Sequence, residues 1–427
     1  MINKSKKSKK IIFLSFTFLF LLFSCGNDTS NLTTSNSTTN NSQTNTTTSL
    51  TTSTTSNTTS QTSQIIVNDE VENQIFISEL YKGSKVYDVA IEIANTSNSV
   101  IDLSNYKLEI IKSMEVENSL DLQGFLNSNE VFVIANNSFI AKNKVNVNLQ
   151  LTNDILNKNR CYRIVNKQTN ELVDILGNER FYDKQFLYGN PIRNEESLYS
   201  ITKFDYMNYY CLSEGVVDYL GNLDLPLTKA ELLEGPKLEE KYANLSFSDG
   251  LNSLGGFFET TIESLGDGDT TYFYYPSEAN LDSGAGSYST RYLFINTPEV
   301  DHGGELDYIK AEPWGYAAKD YNNQKLRNAT SIIVQSCIGS PVHETFGRVL
   351  GLVWYSDKVN PSLEDYRLLN YETIRDGYAF KSGTEVYNEM NYKGINYSFF
   401  VDYSLRIAEE KGIKVHGEVD PNFDYNN

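Results

Sequence analysis

The sequence predicts a multidomain protein, a β-sandwich followed by an α+β domain, both lying beyond an export signal and an unstructured tether. Three observations carry this. Between Ile75 and Ala135, short β-branched and aromatic runs recur between Asn, Ser and Gly turns, as in a sheet protein with many short strands. From Phe257 strand-like runs return, now interspersed with helical periodicity over Trp314 to Arg327, Leu368 to Phe380 and Tyr397 to Lys411, a mixture typical of α+β domains. From Thr29 to Gln64 every residue is Ser, Thr, Asn or Gln except Leu32 and Leu50, a composition that cannot bury enough apolar surface to offset its chain entropy.

Taking the segments in order, residues 1–24 read as an export signal. Lys4, Lys6, Lys7, Lys9 and Lys10 precede an apolar stretch from Ile11 to Phe23, which is too short to span a bilayer comfortably. Leu22-Phe23-Ser24-Cys25 resembles a bacterial lipoprotein cleavage box. The resemblance implies that Cys25 is diacylated, becomes the new N-terminus and anchors the chain to the cell membrane on its extracytoplasmic side. A plain secretory signal or an uncleaved anchor is the alternative, and each version places the remainder outside the cytoplasm. Residues 25–69 are expected to form a flexible tether, whose 36-residue polar core has a reach of roughly 30–36 Å.

Charge narrows the function classes. The 427 residues carry a formal charge of −19, and from Cys25 onward 31 basic side chains face 55 acidic ones. A protein that coats nucleic acid through a basic surface is therefore excluded. Ordinary Gly and Pro content, 29 Tyr and 22 Phe exclude collagen-like and coiled-coil classes and indicate folded, aromatic-rich domains.

The sandwich is expected over residues 70–224. Its runs Ile77-Ser78-Glu79-Leu80, Ile91-Glu92-Ile93-Ala94-Asn95, Ile101 to Leu108, Val173-Asp174-Ile175-Leu176-Gly177 and Glu196-Ser197-Leu198 resemble the lamin-tail domain. That resemblance implies an immunoglobulin-like β-sandwich, a module that accompanies secreted nucleases and other hydrolases and brings no catalytic residues. Glu79, Glu92 and Asp174 are read here as strand-edge and turn residues. Residues 225–255, polar and Leu-containing, read as a linker.

The chemistry lies in residues 256–417, ahead of a C-terminal tail at 418–427. Three pieces occur in order: Gly266-Asp267-Gly268-Asp269-Thr270; Arg291 followed by Asn296-Thr297-Pro298-Glu299; and Phe346-Gly347-Arg348. Each piece alone is common, as a hairpin turn, a helix start or a chance dipeptide. Together they resemble the staphylococcal thermonuclease family, with Thr290 to Glu299 similar to its central strand, Trp314 to Ala318 to its first helix and Phe346 to Trp354 to its second arginine strand. The resemblance implies an OB-fold five-stranded barrel with three helices. It also implies catalytic Arg291, Glu299 and Arg348, and a Ca²⁺ site at Asp269, Asn296 and the Thr297 carbonyl with Glu299 close by. Cleavage would leave 3′-phosphate nucleotides.

Physical chemistry agrees with those roles. Two guanidiniums grip phosphate oxygens through planar paired donors, a carboxylate accepts the proton of an attacking water or orients it, and hard oxygen donors favour Ca²⁺ over zinc. Asn296 stands where the family usually has Asp, which removes one ligand charge. The Gly- and Ser-rich stretch Ser277 to Ser289 lengthens a loop, and Lys414-Val415-His416 stands where relatives often carry tryptophan. His302 reads as a solvated loop histidine. Cys161, Cys211 and Cys337 allow at most one internal disulfide, a Cys161–Cys211 bond or isolated buried thiols being the alternatives.

The sequence thus points to a Ca²⁺-dependent nuclease acting on DNA, with RNA as a further candidate substrate, held to the membrane by a lipid anchor and with no protein partner indicated. A non-catalytic surface binding protein or adhesin with a vestigial site is the rival. Single-stranded binding without cleavage is disfavoured, since residues 258–427 hold 14 basic against 26 acidic side chains.

Overall fold

The structure is a computed structural model that describes residues 75–140, 145–180, 189–303, 308–382 and 390–425. The signal segment, Cys25 and the tether lie outside the described residues. Within them the chain is mostly β with few helices.

The N-terminal part contains ten strands that build its two facing sheets: β1 (Ile75–Lys82), β2 (Val89–Asn95), β3 (Tyr106–Lys112), β4 (Glu115–Asp121), β5 (Glu130–Asn136), β6 (Leu149–Leu151), β7 (Cys161–Asn166), β8 (Leu172–Leu176), β9 (Asn190–Arg193) and β10 (Tyr209–Leu212). One sheet runs β10-β9-β1-β2-β5-β6 and the other β8-β7-β3-β4. Ile77, Ile91, Leu108, Ile110, Ile134 and Ile164 fill the space between them, as alternating inward positions of paired sheets must. A buried ion pair locks the two sheets together. Arg193 Nη2 donates to Asp174 Oδ1 at 2.6 Å with both side chains fully buried, and Asp174 also accepts from the amides of Ile77 at 2.9 Å and Ile201 at 2.7 Å.

β1 and β2 are buried on both faces. The reason is a second layer: Phe139, Leu220, Val145, Val147 and Val217 cover Tyr81, Ala90, Val133 and Ala135 on the outer face. Glu79 and Glu92 are register partners across β1 and β2 and lie beneath that cover, so the expected strand-edge role gives way to burial, as it does for Asp174. Glu92 accepts from Ser78 Oγ and Gly221 N, each at 2.6 Å, whereas neither oxygen of Glu79 has a hydrogen-bond partner among the described residues.

Residues 225–255 do more than join domains. A capping box at Thr228 and Glu231 starts helix α1 (Lys229–Glu234), and Leu227, Leu232, Leu238, Tyr242 and Phe247 are buried in the core shared with the C-terminal part. Tyr371 Oη donates to the Leu232 carbonyl at 2.7 Å.

The C-terminal part is a barrel. Its strands are β11 (Phe257–Thr260), β12 (Ile262–Leu265), β13 (Thr270–Tyr275), β14 (Gly286–Tyr292), then the short β15 (Ile295–Asn296), and after helix α2 (Gly315–Asn328) the strands β16 (Ser331–Gln335) and β17 (Val349–Ser356). The sheet order is β11-β16-β17-β14-β13-β12. Because β11 and β12 at its two edges are one stretch of chain bent at Thr261, the sheet closes on itself, and the bent stretch counts as one of five strands. β14 and β17 meet in parallel. After β18 (Arg367–Leu368) come α3 (Leu369–Arg375), β19 (Phe380–Lys381), the hairpin of β20 (Asn391–Tyr392) and β21 (Ile395–Asn396), and α4 (Tyr397–Lys411). The last helix begins and ends where its sequence periodicity does, with Gly412 in the left-handed conformation closing it at φ 61°.

The two parts share a sheet. β21 pairs with β10 through Leu212 and Ile395, so β20-β21 extends the first sandwich sheet to eight strands. Ser213 Oγ donates to Asn396 Oδ1 at 2.8 Å, and Arg406 grips Asp205 with bonds of 2.8 and 3.0 Å. Cys161, Cys211 and Cys337 form no disulfide among the described residues; burial pushes Cys161 up to about 12 and Cys211 up to about 11.

The Glu79–Glu92 pair carries a pH signature. Burial, opposed by the Ser78 and Gly221 bonds, pushes Glu92 up to about 7, and burial followed by the charges of Glu92 and Asp218 raises Glu79 well above its ordinary value. A carboxyl with a raised folded-state pKa favours the fold below its unfolded value and loses that contribution as pH rises. Stability should therefore fall from about pH 4.5 through about pH 7, each tenfold difference in proton affinity between folded and unfolded chain being worth roughly 1.4 kcal/mol. Urea denaturation of Glu79→Gln beside wild type should show a difference in favour of the variant that grows across this window, and a difference independent of pH would contradict the assignment.

Candidate active site

The site grows from the order of strands in the barrel. β13 and β14 are antiparallel with Thr270 opposite Arg291, and β14 and β17 are parallel with Arg291 beside Leu350. Asp269 lies one residue before β13, and its carbonyl accepts from Tyr292 N at 2.8 Å, which extends the ladder. Arg348 lies one residue before β17. Three residues far apart in sequence thus occupy one end of adjacent strands.

Two glycines allow the close approach. A Cβ on Gly268 would stand 2.6 Å from Thr297 Oγ1, so the Gly266–Asp267–Gly268 turn packs against the Asn296–Thr297 segment only without a side chain. A Cβ on Gly315 would stand 2.1 Å from the Glu299 carbonyl, so α2 starts hard against the Pro298–Glu299 segment. Trp314, just before it, holds φ at 69° and is fixed by Asp420, which accepts from its amide at 2.7 Å.

The side chains form a connected network. Arg291 Nη1 pairs with Asp269 Oδ1, while Arg291 Nη2 donates to Asn296 Oδ1 at 2.5 Å and to the Ile295 carbonyl at 3.3 Å. The other Asp269 oxygen accepts from Thr297 N at 2.9 Å. Thr270 Oγ1 donates to Asp269 at 3.2 Å and accepts from Arg348 Nη1 at 3.1 Å. Arg348 Nε pairs with Glu344. Burial, then the neighbouring Arg348 charge, lowers the Arg291 pKa, with Asp267, Glu344 and Glu299 acting the other way. Arg291 stays cationic at neutral pH because a guanidinium starts so far above it.

Glu299 stands beside this network and forms no direct bond with it. Its amide donates to Glu312 Oε2 at 3.1 Å, its carboxylate lies 3.8 Å from His302 Nδ1 and is about two-fifths exposed, and its charge acts on Arg291. Asp269, Arg291, Asn296 and Thr297 are thus in direct contact, Arg348 joins them through Thr270, and Glu299 faces the group through the field alone. Sequence reasoning passed over Thr270 and Glu344. Glu344 precedes Arg348 by four residues in a Gly-containing turn, a spacing that pairs acid with base, and Thr270 directly follows the buried aspartate.

The donors around Asp269 are hard oxygens, the chemistry that suits Ca²⁺. Among the described residues no group of three or more Asp, Glu, His or Cys is gathered to hold a metal. The Asp269 carboxylate and the Asn296 amide oxygen suit such a cation, on the condition that Arg291 gives up the oxygens it holds.

Residues 289–397 match the family model of staphylococcal nuclease homologues. The match takes in Arg291, Asn296, Thr297, Glu299 and Arg348, ends at the first residue of α4, and leaves Asp269 outside. No curated protein matches the chain. The matched stretch supports a thermonuclease-like domain, an OB-fold for the barrel and a nuclease type of function.

Asp269 is the buried acceptor for Thr297 N and is only 2 % exposed. Asp269→Ala should cost about 1–3 kcal/mol by stranding that donor, on top of the lost Arg291 pair. Urea denaturation would measure it, and a change under about 0.5 kcal/mol, the scale of an uninvolved surface position, would contradict the contact.

Proposed function

We propose that the protein is a nuclease that hydrolyses phosphodiester bonds of DNA, and of RNA as a further substrate, outside the cytoplasm. The observation that carries this reading is the meeting of Arg291 and Arg348 across Thr270, at one end of adjacent barrel strands inside the family-matched stretch. Two guanidiniums so placed face a phosphate from neighbouring strands, and planar donor pairs stabilise the charge that grows on its oxygens in the transition state. Both are paired at rest, Arg291 with Asp269 and Arg348 with Glu344, so a phosphate enters by exchange for a carboxylate. Glu299, partly exposed and beside Arg291, is placed to take the proton of the attacking water or to orient it.

Ca²⁺ belongs to the proposal as well. Asp269, Asn296 and the Thr297 carbonyl would hold it, with Glu299 nearby, and when bound it supplies Lewis-acid charge at the phosphate. Cys25 as the lipid attachment point, the extracytoplasmic location and the lamin-tail identity of the sandwich rest on their sequence motifs. The sandwich is assigned a positioning role, which its shared sheet with the barrel supports.

Digestion of single-stranded DNA in Ca²⁺ or in chelator tests the reading. Arg291→Ala and Arg348→Ala should each lower kcat about 10²–10³-fold, and Glu299→Ala about 10²–10⁴-fold. Equal, negligible digestion by wild type and all three variants would sink the nuclease reading and leave the surface binding protein in its place.

A further inference from the structure

The Asp269 oxygens already have a cation. Arg291 spreads its fork over them, one nitrogen on the carboxylate and the other on the Asn296 amide oxygen and the Ile295 carbonyl. The Asp269 and Asn296 oxygens are two of the donors on which a metal would depend. The remaining Asp269 oxygen is held by Thr297 N, which ties it to the backbone and leaves it poorly placed to compensate.

We propose that Arg291 is the resident counter-cation of this site, so that its guanidinium and a divalent cation exclude one another from the Asp269–Asn296 oxygens. The proposal rests on the nuclease reading above and names the regulation of the same site. Charge and geometry both argue for it. With a neutral amide at 296, Asp269 is the sole carboxylate among the described residues in direct contact with Arg291, and one guanidinium balances it. A divalent ion added beside an undisplaced Arg291 would bring three positive charges to the one carboxylate that both contact, with Arg348 a further cation two hydrogen bonds away through Thr270 and with Asp267, Glu344 and Glu299 offsetting them without touching the guanidinium. Two carboxylates would hold a guanidinium and a metal together more easily, which makes Asn296 the residue that sharpens the competition.

The backbone of Arg291 cannot move aside, because it is paired with β13 on one side and β17 on the other. Only the side chain exchanges. Arg291 is then free for a substrate phosphate when another cation has taken its oxygens, so filling the metal site and arming the arginine are one event.

Calorimetric titration of the full-length chain with Ca²⁺, in the absence of nucleic acid, reads the competition without reference to activity. Arg291→Ala and Arg291→Met, the second keeping an apolar stem in the strand, should each bind Ca²⁺ at least about tenfold more tightly than wild type. Arg348→Ala removes an equal charge from the neighbourhood without vacating the oxygens and should change affinity by less than about threefold. Circular dichroism confirms that each variant is folded. Weaker or unchanged binding in both Arg291 variants overturns the proposal, as does an Arg348→Ala gain as large as theirs, or no Ca²⁺ binding by any folded variant. The expected binding pattern together with no DNA digestion by the wild-type chain would instead count against the nuclease reading alone.

Discussion

One buried carboxylate holds the end of the barrel together. Asp269 uses its carbonyl to extend the β13–β14 ladder, one carboxylate oxygen to fix the Thr297 amide, and the other to receive Arg291 and Thr270. Each bond draws in a different segment, so the loop before β13, the end of β14 and the segment after β15 are fixed by one residue, and the start of β17 is joined to it through Thr270 and Arg348. A buried carboxylate is costly unless its charge is matched and its lone pairs are filled. Here both conditions are met by groups to which the proposed nuclease reading also assigns chemical work, so on that reading catalysis and stability share the same atoms.

The sandwich is coupled to this barrel more tightly than an appended module would be. The β20–β21 hairpin belongs to the barrel's chain segment and completes the sandwich sheet. Asn396 ends that hairpin, stands at the residue just before α4 and accepts from Ser213. The strap from Leu227 to Phe247 buries its apolar side chains in the same core as the barrel. Separate domains usually meet through smaller, more polar surfaces. A continuous sheet and core mean that tilting the sandwich would strain the start of α4, so the sandwich and the site should move together.

Much of the site was legible because its chemistry is local in sequence. Arg291, Asn296, Thr297 and Glu299 fall within nine residues, and their contacts follow from one strand, one turn and the strand beside it. Arg348 and Asp269 were recoverable only through the family pattern, since nothing local brings β13 and β17 beside β14. The burial of Glu79 and Glu92 was not legible. Alternation in β1 and β2 reports two faces but not that a segment near Leu220, over a hundred residues later, covers the outer one. The linker reading of residues 225–255 shows the same limit: a charged texture conceals the five apolar side chains that the partner core takes up. Whether Arg291 points at a phosphate or at Asp269 is a matter of side-chain rotamer, which no spacing encodes.

The acidic surface acquires a specific meaning from these pairings. Over a Debye length of about 8 Å at physiological salt, an approaching phosphate meets the local charges and not the whole-chain balance. Those local charges are nearly cancelled at rest, because Asp269 offsets Arg291 and Glu344 offsets Arg348. Long-range attraction cannot then be what selects the substrate. The phosphate must compete for each guanidinium at contact distance, where its anionic oxygens offer an arginine fork the same paired acceptors as a carboxylate. On the proposed nuclease reading, Glu344 and, once its cation leaves, Asp269 reclaim the arginines after cleavage, and the chain's excess of acid favours departure of the fragments. A site closed by its own ion pairs is thus suited to brief occupancy, in which retention of nucleic acid is sacrificed for release.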